Sequence, residues 1–214
     1  FITIGLVLCF SPADTASAGD SLKPEECVIL LHGLGRTSYS MNEMAEALEK
    51  EGYYTVNLDY PSQDDRVEKL AVSVIPEGID ECNERKVSSI NFVTHSMGGI
   101  LLRYYLSGYQ VENLGRVVML SPPNQGSEVA ETMKNWGIYK WLNGPAGQQL
   151  GTGQDSLVLQ LGPVDYPVGI LVGNEPAFFD FWLEDMIPGP GDGKVSVERA
   201  KVEGMSDFLV VPSS

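Results

Sequence analysis

Residues Ile90 to Leu102 read I-N-F-V-T-H-S-M-G-G-I-L-L, and this stretch decides the fold. Ile90-Asn91-Phe92-Val93 suits a strand, Ile100-Leu101-Leu102 opens a helical pattern, and only T-H-S-M-G-G lies between them. So short a join puts Ser96 in a sharp bend, its hydroxyl pushed outward and a helix N-terminus pointing at it. Gly98 and Gly99 let the turn and the helix pass close together. A serine at this position also suits simple helix capping, so the bend alone leaves two readings open.

Outward from that bend, short and nearly continuous apolar runs recur at Val28 to Leu31, Tyr54 to Leu58, Val117 to Leu120, Val168 to Val172 and Phe208 to Val211. They lack polar alternation, as strands buried on both faces of a parallel sheet do. Helical spacing fills the gaps: Met41, Met44, Ala45 and Leu48; then Val67, Leu70, Val74 and Ile75; then Ile100, Leu101, Tyr104 and Tyr105. Alternating strand and helix predicts an α/β fold, a mostly parallel sheet of about six strands flanked by helices with right-handed crossovers. Ligands in such sheets bind beyond the carboxyl ends of the strands. Ser96 falls at one such end, and V-I-L-L-H-G-L-G (Val28 to Gly35) places His32 and Gly33 at another.

The stretch from 121 to 167 breaks the alternation, because connections in these units usually run to about two to six residues. Residues 128 to 142 look helical and carry Met133, Trp136, Ile138, Tyr139 and Trp141, and 144 to 153 is rich in Gly and Gln. Two readings fit. One is a small cap or lid over the site, residues 124 to 160; the other is an ordinary crossover helix with core aromatics and a loop.

The 214 residues suit one domain, and no linker or composition shift divides them. Lys and Arg number 14 against 29 Asp and Glu, a net charge of -15 that repels phosphate backbones and anionic lipid headgroups. Nucleic acid is not an expected partner. Residues 1 to 18 read as a partial signal peptide: a short apolar run ends in Ala16-Ser17-Ala18, the small-x-small pattern of a cleavage site. The run is too short to span a bilayer, so the expectation is a secreted or periplasmic domain, residues 19 to 214, without an integral membrane segment. In that compartment Cys27 and Cys82 remain as an even pair, either bridged or as two thiols. If their strands are neighbours, both lie at the edge of the sheet opposite Ser96. No H-E-x-x-H, paired CxxC, phosphate-loop or dinucleotide fingerprint occurs, so neither metal nor cofactor is expected.

With H-G-L-G before it, T-H-S-M-G-G resembles the nucleophile elbow of the α/β-hydrolase superfamily, and most resembles small bacterial secreted lipases and esterases related to the GPI-inositol-deacylase-like group. Thr94 stands where the elbow's first glycine usually does, and its Cβ and hydroxyl crowd the turn. The resemblance implies Ser96 as nucleophile and the Leu34 and Met97 N–H groups as oxyanion donors, with His32, Gly33 and His95 supporting the loops. It implies Asp192, in P-G-P-G-D-G-K-V, as the acid that orients a histidine, with Glu175 as the second candidate and an ordinary Asp-Gly turn as the alternative. The histidine should come last in the chain order. Only His32 and His95 exist, both before Ser96, so the expectation is a fragment at both ends whose base lies beyond Ser214 and whose own activity is weak or absent. The reaction implied is hydrolysis of carboxylic esters of small-molecule or lipid substrates through an acyl-serine. An acyltransferase and a non-catalytic binding module on the same scaffold compete with it. Acyl-chain preference and oligomeric state are not read from the sequence.

Overall fold

The protein is described by a computed structural model covering residues 25–133, 144–154, 156–174 and 195–212. The signal-peptide segment, Glu175, Asp192 and the aromatics Trp136, Tyr139 and Trp141 lie outside the described residues, so the cap and acid-loop expectations rest on their flanks alone.

Six strands form one parallel sheet: β1 (Glu26–Leu31), β2 (Tyr54–Leu58), β3 (Ser89–His95), β4 (Leu114–Leu120), β5 (Val168–Gly173) and β6 (Asp207–Val211). Their spatial order is β2-β1-β3-β4-β5-β6. The chain therefore runs outward on one side of β1 and then on the other. The reversal falls between β1 and β3, and the carboxyl ends of strands at such a point are where open α/β sheets bind ligands.

The unbroken apolar run of β1 divides between two faces, because successive side chains of a strand point opposite ways. Ile29 and Leu31 join the larger core with Phe92 and with Val67, Leu70, Ala71 and Ile75 of α2 (Val67–Glu84) and Ile100, Leu101 and Leu102 of α3 (Met97–Gly108). Val28 and Leu30 pack on the other face with Val93 and with Met41, Ala45 and Leu48 from the short 3-10 turn Ser38–Met41 and α1 (Asn42–Lys50). Short helices follow, among them α4 (Glu128–Met133), α5 (Leu157–Gln160) and α6 (Val197–Ala200), and residues 144–147 are helical as well. Among the described residues no helix is long and apolar enough to cross a membrane.

One strand departs from the sequence expectation. Phe208 to Val211 reads as a doubly buried strand, yet β6 is the outermost strand, with Leu209 54% and Val210 40% exposed. An apolar run records strand propensity but not position in the sheet.

At the amino ends of the strands a disulfide joins Cys27 to Cys82, their Cα atoms 5.9 Å apart. Cys27 pairs in register with Ile90, so β1 and β3 are neighbours, and Cys82 lies in the last turn of α2. The bridge ties the start of the central strand to the end of the helix that covers it.

Candidate active site

Ser96 occupies the N-cap position of α3 with φ 52° and ψ -120°, in the left-handed half of backbone space. A non-glycine residue held there costs on the order of 1–3 kcal/mol and persists only where its surroundings enforce it. Here the surroundings do: the Ser96 N–H donates to the Leu120 carbonyl at 2.8 Å, and the Ser96 carbonyl accepts from Gly99 N–H at 3.0 Å. The hydroxyl makes no capping bond to its own helix. The capping reading of Ser96 therefore lacks its defining contact, and the residue is half-buried at the carboxyl end of β3.

Two glycines explain how the turn fits. A Cβ on Gly98 would stand 2.7 Å from the Leu31 carbonyl oxygen and 2.8 Å from that of His32, so α3 begins in direct contact with the end of β1. Thr94, fully buried, replaces the usual small residue of the elbow. Its Oγ1 lies 3.2 Å from where a Cβ on Gly99 would be, and it has no hydrogen-bond partner among the described residues. The crowding expected of Thr94 is taken up by the bare backbone of Gly99.

Gly33 brings the other motif to the same place. A Cβ there would lie 3.2 Å from the Ser96 Cβ and 2.8 Å from His95 Nδ1. H-G-L-G and the elbow are thus in contact. Among the described residues nothing accepts the Leu34 N–H. Met97, the first helical residue of α3, has an N–H beyond the reach of its own helix ladder.

His32 is fully buried and stacks on Tyr60 with ring centroids 4.0 Å apart. Its Nδ1 is 2.8 Å from the Gly33 carbonyl oxygen, while Nε2 lies 3.4 Å from the Tyr60 N–H nitrogen and 3.8 Å from Asp59. Burial pulls its pKa below the ordinary histidine value, against smaller opposing effects of the Gly33 carbonyl and Asp59. A neutral ring fits both bonds, donating from Nδ1 and accepting at Nε2. The Tyr60 phenol, pushed upward by burial, donates to the His32 carbonyl.

These contacts expose a group that the sequence did not announce, the β2–α2 connection Asp59 to Gln63. Ser62, 3% exposed, accepts the Gly35 N–H at 2.9 Å, and Asp59 Oδ1 accepts the Ser38 N–H at 2.8 Å. In Y-P-S-Q-D-D these residues read as an ordinary polar loop, and no local pattern points to a partner some 27 residues away. The same holds for Gln149, whose Oε1 accepts the Val67 N–H and whose Nε2 donates to Glu68, both at 2.8 Å. That pair fastens the stretch after β4 to the start of α2.

In the stretch after β4, buried Glu128 accepts from Arg199 Nε at 2.7 Å and Ser196 Oγ at 2.9 Å. It holds the segment that follows Asp192 in the chain. Buried Arg103 of α3 donates to both carbonyl oxygens of Asn124 and to the Gly162 carbonyl, which fixes the loop after β4 against the elbow helix. Among the described residues no group of three or more His, Cys, Asp or Glu side chains is placed to hold a metal ion.

No curated protein sequence matches the chain. Among solved structures it is similar to the mature form of the Bacillus licheniformis lipase BlEst2, with 24% identity and TM-score 0.65 over 92% of this chain and 87% of that one. A metagenomic carboxyl esterase superposes with TM-score 0.71 at 20% identity, covering 94% of this chain and 68% of its own. The phospholipase PlaB of Legionella pneumophila gives 0.68 at 23% identity, over 82% of this chain and 44% of that protein. At such identities the likeness is one of fold, and it is that of an α/β-hydrolase. The sequence profile of the palmitoyl protein thioesterase family matches residues 27–155, which include both H-G-L-G and T-H-S-M-G-G and more than half of the chain. With its two motifs meeting at one strand crossover, the chain belongs to the palmitoyl protein thioesterase family, a family of ester-type hydrolases on the α/β-hydrolase fold.

Proposed function

We propose that the protein hydrolyses acyl esters, with thioesters included by its family, through an acyl-Ser96 intermediate. The observation that carries this is the backbone of Ser96: a strained, uncapped serine held at the end of β3 against the oxyanion loop. In this reading the Ser96 hydroxyl attacks the acyl carbonyl, and the oxygen that gains charge is held by the Leu34 and Met97 N–H groups. The alcohol or thiol then leaves, and water releases the acid. Asp192 is the candidate that orients the imidazole.

Neither histidine of these 214 residues suits the base. His32 is enclosed with both ring nitrogens engaged, and His95 directly precedes Ser96, against the superfamily order in which the histidine comes last. No base is assigned among them, and without one these residues should turn over substrate slowly. The buried Cys27–Cys82 bridge supports a secreted or periplasmic setting.

A panel of p-nitrophenyl esters and acyl-thiocholines of increasing chain length, read together with fluorophosphonate labelling, tests the proposal. Labelling should fall on Ser96 alone and vanish in Ser96→Ala. Labelling elsewhere, or hydrolysis that survives that substitution, would reject it.

A further inference from the structure

We propose that Ser62 is a positioning residue for the oxyanion loop, its buried hydroxyl holding the peptide that follows Leu34. This rests on the reading of Leu34 as an oxyanion donor. Leu34 is flanked by two peptide planes, and each must be fixed for its N–H to keep one direction. The first plane contains the Gly33 carbonyl and the Leu34 N–H, which point opposite ways because the peptide is planar and trans. That carbonyl accepts from Arg36 N–H at 3.2 Å and from His32 Nδ1 at 2.8 Å, so the direction of the Leu34 N–H is set from behind. The second plane carries the Gly35 N–H, and Ser62 Oγ is its acceptor at 2.9 Å.

Gly35 needs this restraint more than other residues would. It sits at φ +64°, and having no Cβ its own stereochemistry does not select one conformation. Ser62 in turn is held in place. The Ser62 N–H donates to the Tyr60 carbonyl at 2.8 Å, and Tyr60 is locked to His32 by ring stacking and by its phenol on the His32 carbonyl. The β2–α2 connection thus grips the loop at His32, Gly35 and Ser38 at once. Of these grips, only that of Ser62 acts on a peptide bonded directly to Leu34.

Removing the hydroxyl leaves the Gly35 N–H without its acceptor and frees the second plane to rotate. Losing an oxyanion donor outright lowers rates about 100- to 1000-fold, and a donor that is misdirected part of the time should cost about tenfold or more. The test is the second-order rate of fluorophosphonate labelling at Ser96, with kcat and KM for p-nitrophenyl butyrate, in buffer that supplies free imidazole as the base. Both are measured on the unsubstituted chain, Ser62→Ala and Ser62→Thr, and amide hydrogen exchange is followed at residues 33–36.

Ser62→Ala should slow labelling and kcat at least tenfold, leave KM within about twofold, and speed exchange at 33–36. Ser62→Thr, which keeps the hydroxyl, should recover most of the rate. Labelling unmoved by Ser62→Ala overturns the proposal, as does a loss that Ser62→Thr fails to restore while its melting temperature is normal. If the unsubstituted chain, with free imidazole supplied as the base, is not labelled at Ser96 at all, the ester-hydrolase reading itself falls and takes the purpose of the latch with it.

Discussion

Reducing the Cys27–Cys82 bridge should separate stability from chemistry. The bridge closes a loop with a sequence separation of 55. In the chain-entropy account, cross-linking a loop of that size removes about 14 cal/mol/K from the unfolded ensemble, or about 4 kcal/mol at 25 °C. The folded state has little reason to relax when the bond is cut. Both cysteines are fully buried, β1 is hydrogen-bonded on both sides, and α2 stays packed on the sheet through Val67, Leu70 and Ile75. For a chain of this size, 4 kcal/mol corresponds to a drop of about 8–16 °C in melting temperature. The site should not notice. Ile90 is level with Cys27, and six residues of strand at about 3.3 Å each put Ser96 about 20 Å away. Urea unfolding and thermal melts of the oxidised protein, the reduced protein and Cys27→Ala/Cys82→Ala measure the first effect, and Ser96 labelling at 20 °C measures the second. A stability loss under about 1 kcal/mol, or a labelling rate that falls in step with stability, would refute the reasoning.

Two glycines of one helix should respond with opposite signs. Gly98→Ala pushes α3 off two backbone carbonyls, at about 1–3 kcal/mol, and should slow Ser96 labelling at least tenfold; Gly108→Ala meets nothing within 4 Å and should be neutral or stabilising by up to about 1 kcal/mol. Equal effects in urea unfolding would count against the close approach of α3 to β1. Because burial lowers the pKa of His32, the unfolded chain binds its proton first as pH falls below about 6.5, and the stability that the neutral ring contributes is lost over that range. The stability gap between the unsubstituted protein and His32→Asn should therefore narrow between pH 7.5 and 5.5, and a constant gap would contradict a neutral buried ring. Free imidazole at tens of millimolar should accelerate ester cleavage by the chain several-fold through Ser96, with no acceleration in Ser96→Ala. A rate indifferent to imidazole would argue that a residue already present serves as the base.

The sheet and the elbow were legible in the sequence because each is written in neighbouring residues. Apolar runs mark strands, and the join between Val93 and Ile100 is too short to be anything but a tight bend. The contact between H-G-L-G and T-H-S-M-G-G was legible only through resemblance, since the two motifs are distant in the chain and meet because β1 and β3 pair. What held that loop in place was hidden. Ser62 and Tyr60 come from a connection without helical or strand period, and Gln149 reaches Val67 across 82 residues. Thr94 looked like a flaw in the motif because only the folded chain shows Gly99 opposite it.

Among the described residues β6 is an edge of the sheet, and that bears on how this protein behaves in a tube. Strand edges are templates for another chain, and here Leu209 and Val210 stand exposed beside that edge. Set against such pairing is the net charge of -15, a colloidal barrier that acts on the whole particle and not on the strand. That barrier shrinks as the solution nears the isoelectric point, about pH 4.4, and as salt screens it. Mildly alkaline, low-salt buffers should thus favour separate copies, and precipitation near the isoelectric point is the expected failure.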